Sequence, residues 1–276
     1  MSEGNQATVD RQLGAFADVD KTDAEDFIER LDEMHALDVF RAYKKYTFEL
    51  LNLYSGARVA DVGCGTGEDI NLLSALIGDT GSAIGFDLSK AMIEEAEKRH
   101  SVTKSVSFFQ ASSDSLNLPD NHLDAIRADR VLIHVPDPEA TIDEFIRVTR
   151  PGGKVVISEP DMHGFWVASD DYNATGLLVK EIANSCVTPY LPRDLWTMMR
   201  DKGLKDVQCS VQTLTSSDIS AVAKVLDLGM LVPMAVSGGL LPEAQATAWL
   251  DDLKTRAEND RFAASLSIVI VSGTKA

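Results

Sequence analysis

Residues 59–67 read Val59-Ala60-Asp61-Val62-Gly63-Cys64-Gly65-Thr66-Gly67. Val59, Ala60 and Val62 form a short apolar run of the kind that makes a buried strand, and three glycines at alternate positions follow at once. Glycine has no Cβ, so this turn can bend tightly and bring its backbone close to a ligand. Ile70, Leu73, Leu76 and Ile77 then recur at helical spacing. The first N–H groups of such a helix lack intrahelical partners, and its positive dipole end points back at whatever the glycines hold.

Further along, Ile84-Gly85-Phe86-Asp87 is a second apolar strand ending in a carboxylate that can accept both hydroxyls of a ribose. Strand, turn, helix, strand and acid in this order make a nucleoside site at the C-terminal edge of a parallel sheet. The dinucleotide fingerprint Gly-x-Gly-x-x-Gly is not met: the third glycine comes one residue early, and Glu68 stands where it should be. Asp61 and Glu68 would repel a pyrophosphate. A ligand carrying an ammonium and a sulfonium would tolerate them.

Asp61-Val62-Gly63-Cys64-Gly65-Thr66-Gly67 resembles, at every position, the first motif of the class I S-adenosylmethionine (SAM) dependent methyltransferases, an acid followed by Gly-x-Gly-x-Gly. The resemblance runs over roughly residues 55–160. It implies SAM as methyl donor, S-adenosylhomocysteine as product, and in-line displacement at the sulfonium methyl. It also implies an α/β fold: a doubly wound, mostly parallel, Rossmann-like seven-stranded sheet whose last strand is antiparallel, with helical insertions forming a substrate lid. Carried over residue by residue, the donor-binding set is Asp61, Gly63, Cys64, Gly65 and Gly67 in the turn, then Asp87, Leu88 and Met92, then Ser112, Ser113 and Arg130. In the family the loop before Leu118-Pro119 carries an Asp for the adenine amine, and here Ser112 takes that place. Its hydroxyl can accept one hydrogen bond but has no charge, which leaves Asp114 as a compensating candidate. Arg130 is a candidate for the donor's carboxylate.

The resemblance divides the chain into an N-terminal helical cap (1–54), a SAM-binding core (55–164), a helical insertion with a helix packing on the sheet (165–203), and the last strands with a lid insertion at about 215–260 (204–276). Phe40, Tyr43, Lys44, Thr47, Phe48 and Leu51 recur at helical spacing over residues 22–54. Further strands are expected at Val106–Phe109, Leu123–Asp129, Lys154–Ser158, Val207–Val211 and Leu266–Ser272. Ser89 can cap the helix carrying Met92, Ile93 and Ala96, and Asp137-Pro138 opens another in cap-then-proline order. Ligands of such sheets lie beyond the C-terminal strand ends, which gathers 63–67, 87, 112–113, 130–134 and 159–163 around one crevice.

Methylating an oxygen, nitrogen or activated carbon usually requires removal of a proton. His134 is the first candidate base, an imidazole just past a strand end, with Glu159 and His163 next. The plainer reading of His134 is a helix-turn histidine, and that of Glu159 a hydrogen bond to nearby backbone. Phe165, Trp166, Tyr172, Tyr190, Met230, Leu231, Met234 and Trp249 are expected to supply an apolar acceptor pocket, each with ordinary core packing as its alternative. The acceptor is thus expected to be small and fairly hydrophobic. The segments Arg130-Val131-Leu132, His134-Val135-Pro136-Asp137-Pro138 and Arg147-Val148 before Pro151-Gly152-Gly153 resemble the secondary-metabolite and quinone group, and oxygen, nitrogen and carbon methylation all stay open.

Composition narrows the partners. A formal charge of −17 argues against nucleic acid, whose binding depends on Lys and Arg neutralising phosphates. Val225–Leu241 is apolar, but Asp227, Pro233 and Gly238-Gly239 interrupt it short of the roughly twenty residues a span needs, so no membrane partner is expected. Cys64, Cys186 and Cys209 have no paired spacing, which suggests neither disulfides nor a metal site. Residues 1–10 read as a polar tail without a signal-peptide core, so a cytoplasmic enzyme is the default expectation, and a homodimer is left open. A nicotinamide-dependent reductase usually needs Tyr-x-x-x-Lys, and the fourth residues after the five tyrosines are Thr47, Leu50, Arg58, Gly176 and Asp194. A nucleic-acid methyltransferase would want Asn/Asp-Pro-Pro-aromatic, which is also missing. A SAM-binding scaffold or a repurposed non-methylating enzyme such as a cyclase is the remaining alternative.

Overall fold

The computed structural model describes residues 19–20, 24–101 and 103–276; the polar tail expected over 1–10 lies outside them. Among the described residues seven strands form one sheet: β1 (Arg58–Val62), β2 (Ser82–Asp87), β3 (Val106–Gln110), β4 (Leu123–Asp129), β5 (Thr149–Val167), β6 (Lys205–Ser216) and β7 (Ala264–Thr274). Their order is β3-β2-β1-β4-β5-β7-β6; β1 to β5 pair in parallel, and β7 runs antiparallel to both its neighbours. The order reverses between β1 and β4. Such a switch point opens a crevice at the C-terminal strand ends.

All seven β4 residues are buried, as befits a parallel strand covered by helices on both faces. One face carries α2 (Asp38–Leu50), α3 (Glu68–Ile77) and α4 (Lys90–His100), with Phe40, Ile70, Leu73 and Ile93 in its core. The other carries α5 (Pro138–Val148) and α7 (Leu191–Asp201), packed through Ile142, Phe145, Leu195 and Met199. A third cluster joins α6 (Tyr172–Asn184), α8 (Ile219–Val225), α9 (Leu228–Ser237) and α10 (Glu243–Glu258) around Leu178, Leu231 and Trp249.

The expected caps are formed. Ser89 Oγ accepts from Met92 N at 3.2 Å, and Asp137 accepts from Ala140 N at 2.9 Å with Pro138 in the first turn. The helical stretch before β1 breaks at Leu37 into α1 (Ala24–Ala36) and α2. Arg99 of α4 grips Asp32 of α1 through two bonds of 2.7 and 2.9 Å, so α1 is tethered beside the glycine turn.

Two expectations need correction. The fifth strand does not stop at Ser158: antiparallel pairing with β7 continues it through Glu159↔Val269 and Asp161↔Ser267 to Val167, across a bulge. Glu159 to His163 therefore lie within a strand instead of at a loop tip. Leu76 is 53% exposed, so the buried face of α3 rests on Ile70, Leu73 and Ile77. The apolar run at 225–241 is interrupted at Asp227, as expected: it lies mostly in α9, which meets α8 at 63° there. Among the described residues no single helix is long and apolar enough to cross a membrane.

Candidate active site

The glycine turn is held by what surrounds it. Gly63 and Cys64 donate their N–H groups to Phe86 O at 2.7 and 3.0 Å, tying the turn to β2. Gly63 has φ +72°, and a Cβ there would stand 2.2 Å from Val131 Cγ2, so any side chain is shut out. The Asp87 carboxylate accepts from Gly65 N and Ser89 N, both at 2.9 Å. Burial raises its pKa, while those two N–H groups pull the other way.

A cavity of about 320 Å³ opens over this turn. On one side it is lined by Gly63, Cys64, Gly65, Asp87, Leu88 and Met92, with Ser112, Ser113 and Asp114 beyond. Arg130, Val131 and His134 follow β4 into its wall. Pro160, Met162, Ile182, Cys186, Val225, Leu226 and Leu266 make an apolar far wall, and α1 closes the remaining side.

Beneath the turn lies a set of buried charges. Arg127, wholly buried, reaches Asp61 at 2.7 Å, Asp69 at 3.0 Å and Asp129 at 3.3 Å, and its Nε donates to Thr47 at 2.9 Å. Lys44 pairs with Asp69 at 2.8 Å, and Tyr43 donates its hydroxyl to Asp129 at 2.9 Å. Burial alone would raise Asp69, yet Lys44 and Arg127 hold it well below the usual carboxylate range. Asp61 is pushed up to about 6 by burial, against the pull of Arg127.

Comparisons with known proteins agree with this geometry. A family model described as a methyltransferase domain matches residues 53–203. The uncharacterized 37.1 kDa protein of transposon TN4556 from Streptomyces fradiae is 32% identical over 248 residues, 90% of this chain and 71% of that protein. The chain belongs to the class I SAM-dependent methyltransferases. Demethylmenaquinone methyltransferase of Bacillus licheniformis is 35% identical over 140 residues, 49% of this chain and 60% of that enzyme. The methyltransferase thus spans about three fifths of that relative's length. The YcgJ protein of Bacillus subtilis has the same fold, with a TM-score of 0.59 at 18% identity over 85% of this chain and 98% of its own.

SAM is the methyl donor of this family. The residues present suit it: a turn that admits no Cβ, and a carboxylate at the end of β2. Of the expected donor set, Asp61, Gly63, Cys64, Gly65, Asp87, Leu88, Met92, Ser112, Ser113 and Arg130 line the cavity. Gly67 does not; it precedes α3 and backs onto the Phe108 ring, 2.7 Å from where its Cβ would be. Asp61 and Glu68, expected to stand where the donor's cations would tolerate them, have protein partners of their own. Asp61 is engaged by Arg127, and Glu68 faces Arg99 at 3.5 Å outside the cavity. Ser113 Oγ is paired with Thr141 at 2.9 Å, which leaves Ser112 as the more accessible hydroxyl. Arg130 stacks over Phe40 at 5.0 Å from the ring centre, with its backbone at φ +60°. Burial and Asp87 push the Cys64 thiol well up, so it is no nucleophile at neutral pH.

The three candidate bases are separated. His134 lines the cavity, and burial, with Arg130 beside it, pushes its pKa down to about 4. Glu159 lies behind the wall, wholly buried, and accepts N–H bonds from Val131 at 3.1 Å, Leu132 at 2.7 Å and Ile133 at 3.4 Å. It anchors the turn that carries His134 and does not line the cavity. Burial pushes its carboxyl up to about 8. Glu159→Ala leaves those N–H groups without an acceptor and is expected to cost about 2–4 kcal/mol; a urea midpoint equal to wild type would show that the anchor is dispensable. His163 is elsewhere, stacked on Tyr190 at 4.5 Å in an open depression shared with Phe165, Trp166 and Tyr172.

The expected acceptor pocket is therefore misplaced. Leu231 and Trp249 are core, Met230 and Met234 pack against that core, and none of the eight chosen residues lines the main cavity. Its lining from α1 was missed, as were Lys44, Asp69, Arg127 and Asp129. One signal was available for the last two: charged side chains on an apolar strand must find buried partners.

Proposed function

We propose that this methyltransferase acts on a small, flat, largely apolar acceptor bearing a hydroxyl on a ring, of the quinol kind suggested by its demethylmenaquinone-methylating relative. The apolar far wall carries this reading: Met162, Ile182, Cys186, Val225, Leu226 and Leu266 face the donor half across a single cavity. Bound at the glycine turn, SAM supplies a methyl group made electrophilic by its sulfonium.

The chain's own residues do the rest. Gly63, Gly65 and Asp87 hold the adenosyl part, Ser112 and Asp114 stand near its base, and α1 with α8 keeps water from the cavity. His134 takes the proton of the acceptor hydroxyl. Because its pKa lies near 4, it is already neutral at pH 5 and stays so above, and turnover should show no acid limb between about pH 5.5 and 8 from this residue. His134→Ala should lower kcat by about a hundredfold and leave SAM affinity nearly unchanged. Unaltered kcat would remove it from the reaction.

In this reading α1 and α2 form the cap, and 165–203 and 215–260 carry the insertions around the acceptor. The protein works in the cytoplasm without nucleic acid or membrane as partner, alone or as a homodimer. Incubation with methyl-labelled SAM and naphthohydroquinone tests the activity: label should pass to the aromatic compound, on oxygen or on ring carbon. SAM binding without transfer to any ring acceptor would favour the scaffold or repurposed-enzyme alternative.

A further inference from the structure

His134 rides on a turn too short to fix its own direction. Leu132–His134 is a single 3₁₀ turn, and its own bonds run from His134 N to Val131 O at 2.9 Å and from Val135 N to Leu132 O at 3.3 Å. So short a helix leaves its first N–H groups and its carbonyls to be satisfied from outside, and whatever takes them decides where its side chains point.

Two elements far apart in the sequence take them. Glu159 of β5 accepts from the N–H groups of Val131, Leu132 and Ile133. The carbonyl side is held by Thr188, in the connection between α6 and α7: its Oγ1 donates to Leu132 O at 2.9 Å and its N–H to Ile133 O at 3.0 Å. The turn is therefore gripped from both sides.

The grip on the carbonyl side comes from the acceptor wall. Ile182, Ser185 and Cys186 line the cavity, and Thr188 follows Cys186 by two residues. Leu191 then donates its N–H to Thr188 O at 3.1 Å and opens α7 with its side chain buried in the core under the sheet. Thr188 itself does not line the cavity. It touches the site only through the Leu132 and Ile133 carbonyls.

We infer that Thr188 is a positioning residue: it locks the His134 turn to the wall on which the acceptor rests, so that the imidazole and the acceptor hydroxyl keep one spacing. This rests on the proposed function, in which His134 takes that proton. Rate depends steeply on such spacing, which gives a bond outside the cavity a hold on turnover.

Thr188→Val keeps the shape and the backbone bond to Ile133 but removes the bond to Leu132, and Thr188→Ser restores a hydroxyl. With naphthohydroquinone as acceptor under anaerobic conditions, Thr188→Val should lower kcat about fivefold, with acceptor KM and S-adenosylhomocysteine affinity within about twofold of wild type. Thr188→Ser should recover most of the loss. In a His134→Ala background Thr188→Val should take nothing further, because no imidazole is left to position. Wild-type kcat in Thr188→Val overturns the inference, and so does an equal loss in both backgrounds, which marks a general structural effect.

A second readout needs no turnover. In protein grown on ring-labelled histidine and saturated with S-adenosylhomocysteine, the His134 ring C–H resonance, assigned by its absence from His134→Ala, should move or broaden in Thr188→Val and return in Thr188→Ser. The His163 signal, from its separate depression, should stay in place. An unmoved His134 resonance overturns the inference whatever the turnover. A moved one, in a protein that methylates no ring acceptor, strikes the proposed function instead.

Discussion

Arg127→Met is expected to lower the unfolding free energy by about 3–5 kcal/mol, the usual cost of removing one partner from a buried ion pair. Its guanidinium lies among Asp61, Asp69 and Asp129 with no exposure to water. Lys44 still pairs with Asp69 when Arg127 is gone, but no other side chain pairs with Asp61 among the described contacts. Arg127→Lys should recover little, because one ammonium cannot span three carboxylates as a planar fork does. The loss should depend on pH with a definite sign. In the native protein Asp61 already sits near 6, above its unfolded value, so its contribution is fully present below the unfolded pKa and is lost as pH rises through 6. Without Arg127 that carboxyl rises further, and the deficit should be smaller at pH 5 than at pH 8. Urea unfolding at the two pH values measures this; a midpoint unchanged by the substitution would contradict the picture of a charge set that holds the floor of the site.

Asp87→Ala is expected to weaken SAM binding about hundredfold, equivalent to roughly 2.8 kcal/mol. Two effects combine. The carboxylate positions the backbone of Gly65 and Ser89, and the ribose hydroxyls are proposed to bond to the same oxygens. Asp87→Asn keeps the shape and one acceptor oxygen, so it should fall between alanine and wild type. Calorimetric titration with SAM distinguishes them, and an alanine variant of undiminished affinity would place the adenosyl group elsewhere.

What could be read from the chain was local. Val59–Val62 and Ile84–Asp87 are apolar runs, the glycines announce their turn, and Ser89 and Asp137 announce their helices, because each pattern is decided by neighbours within a few residues. What could not be read depends on contacts between distant residues. The extension of β5 past Ser158 exists because Val269 and Ser267, over a hundred residues later, lie beside Glu159 and Asp161. Glu159 and His163 looked alike in the sequence, at one strand tip; the bulge between Asp161 and Trp166 puts one under the His134 turn and the other in a separate depression. The lid aromatics failed for a similar reason. Composition marks Trp249 and Leu231 as apolar, but only packing shows that their neighbours are other inserted helices and not a ligand. The α1 lining escaped notice because Arg30 looks like a solvent-facing residue until Val225 of α8 and Asp227 engage it.

The central claim is that the glycine turn and Asp87 grip an adenosyl sulfonium donor. Thermal unfolding with SAM, S-adenosylhomocysteine and NAD tests it most directly. SAM and its demethylated product at a hundredfold excess over their dissociation constants should each add about 2.7 kcal/mol to apparent stability, and NAD should add nothing. Stabilisation by NAD alone, with none from SAM, would contradict the account.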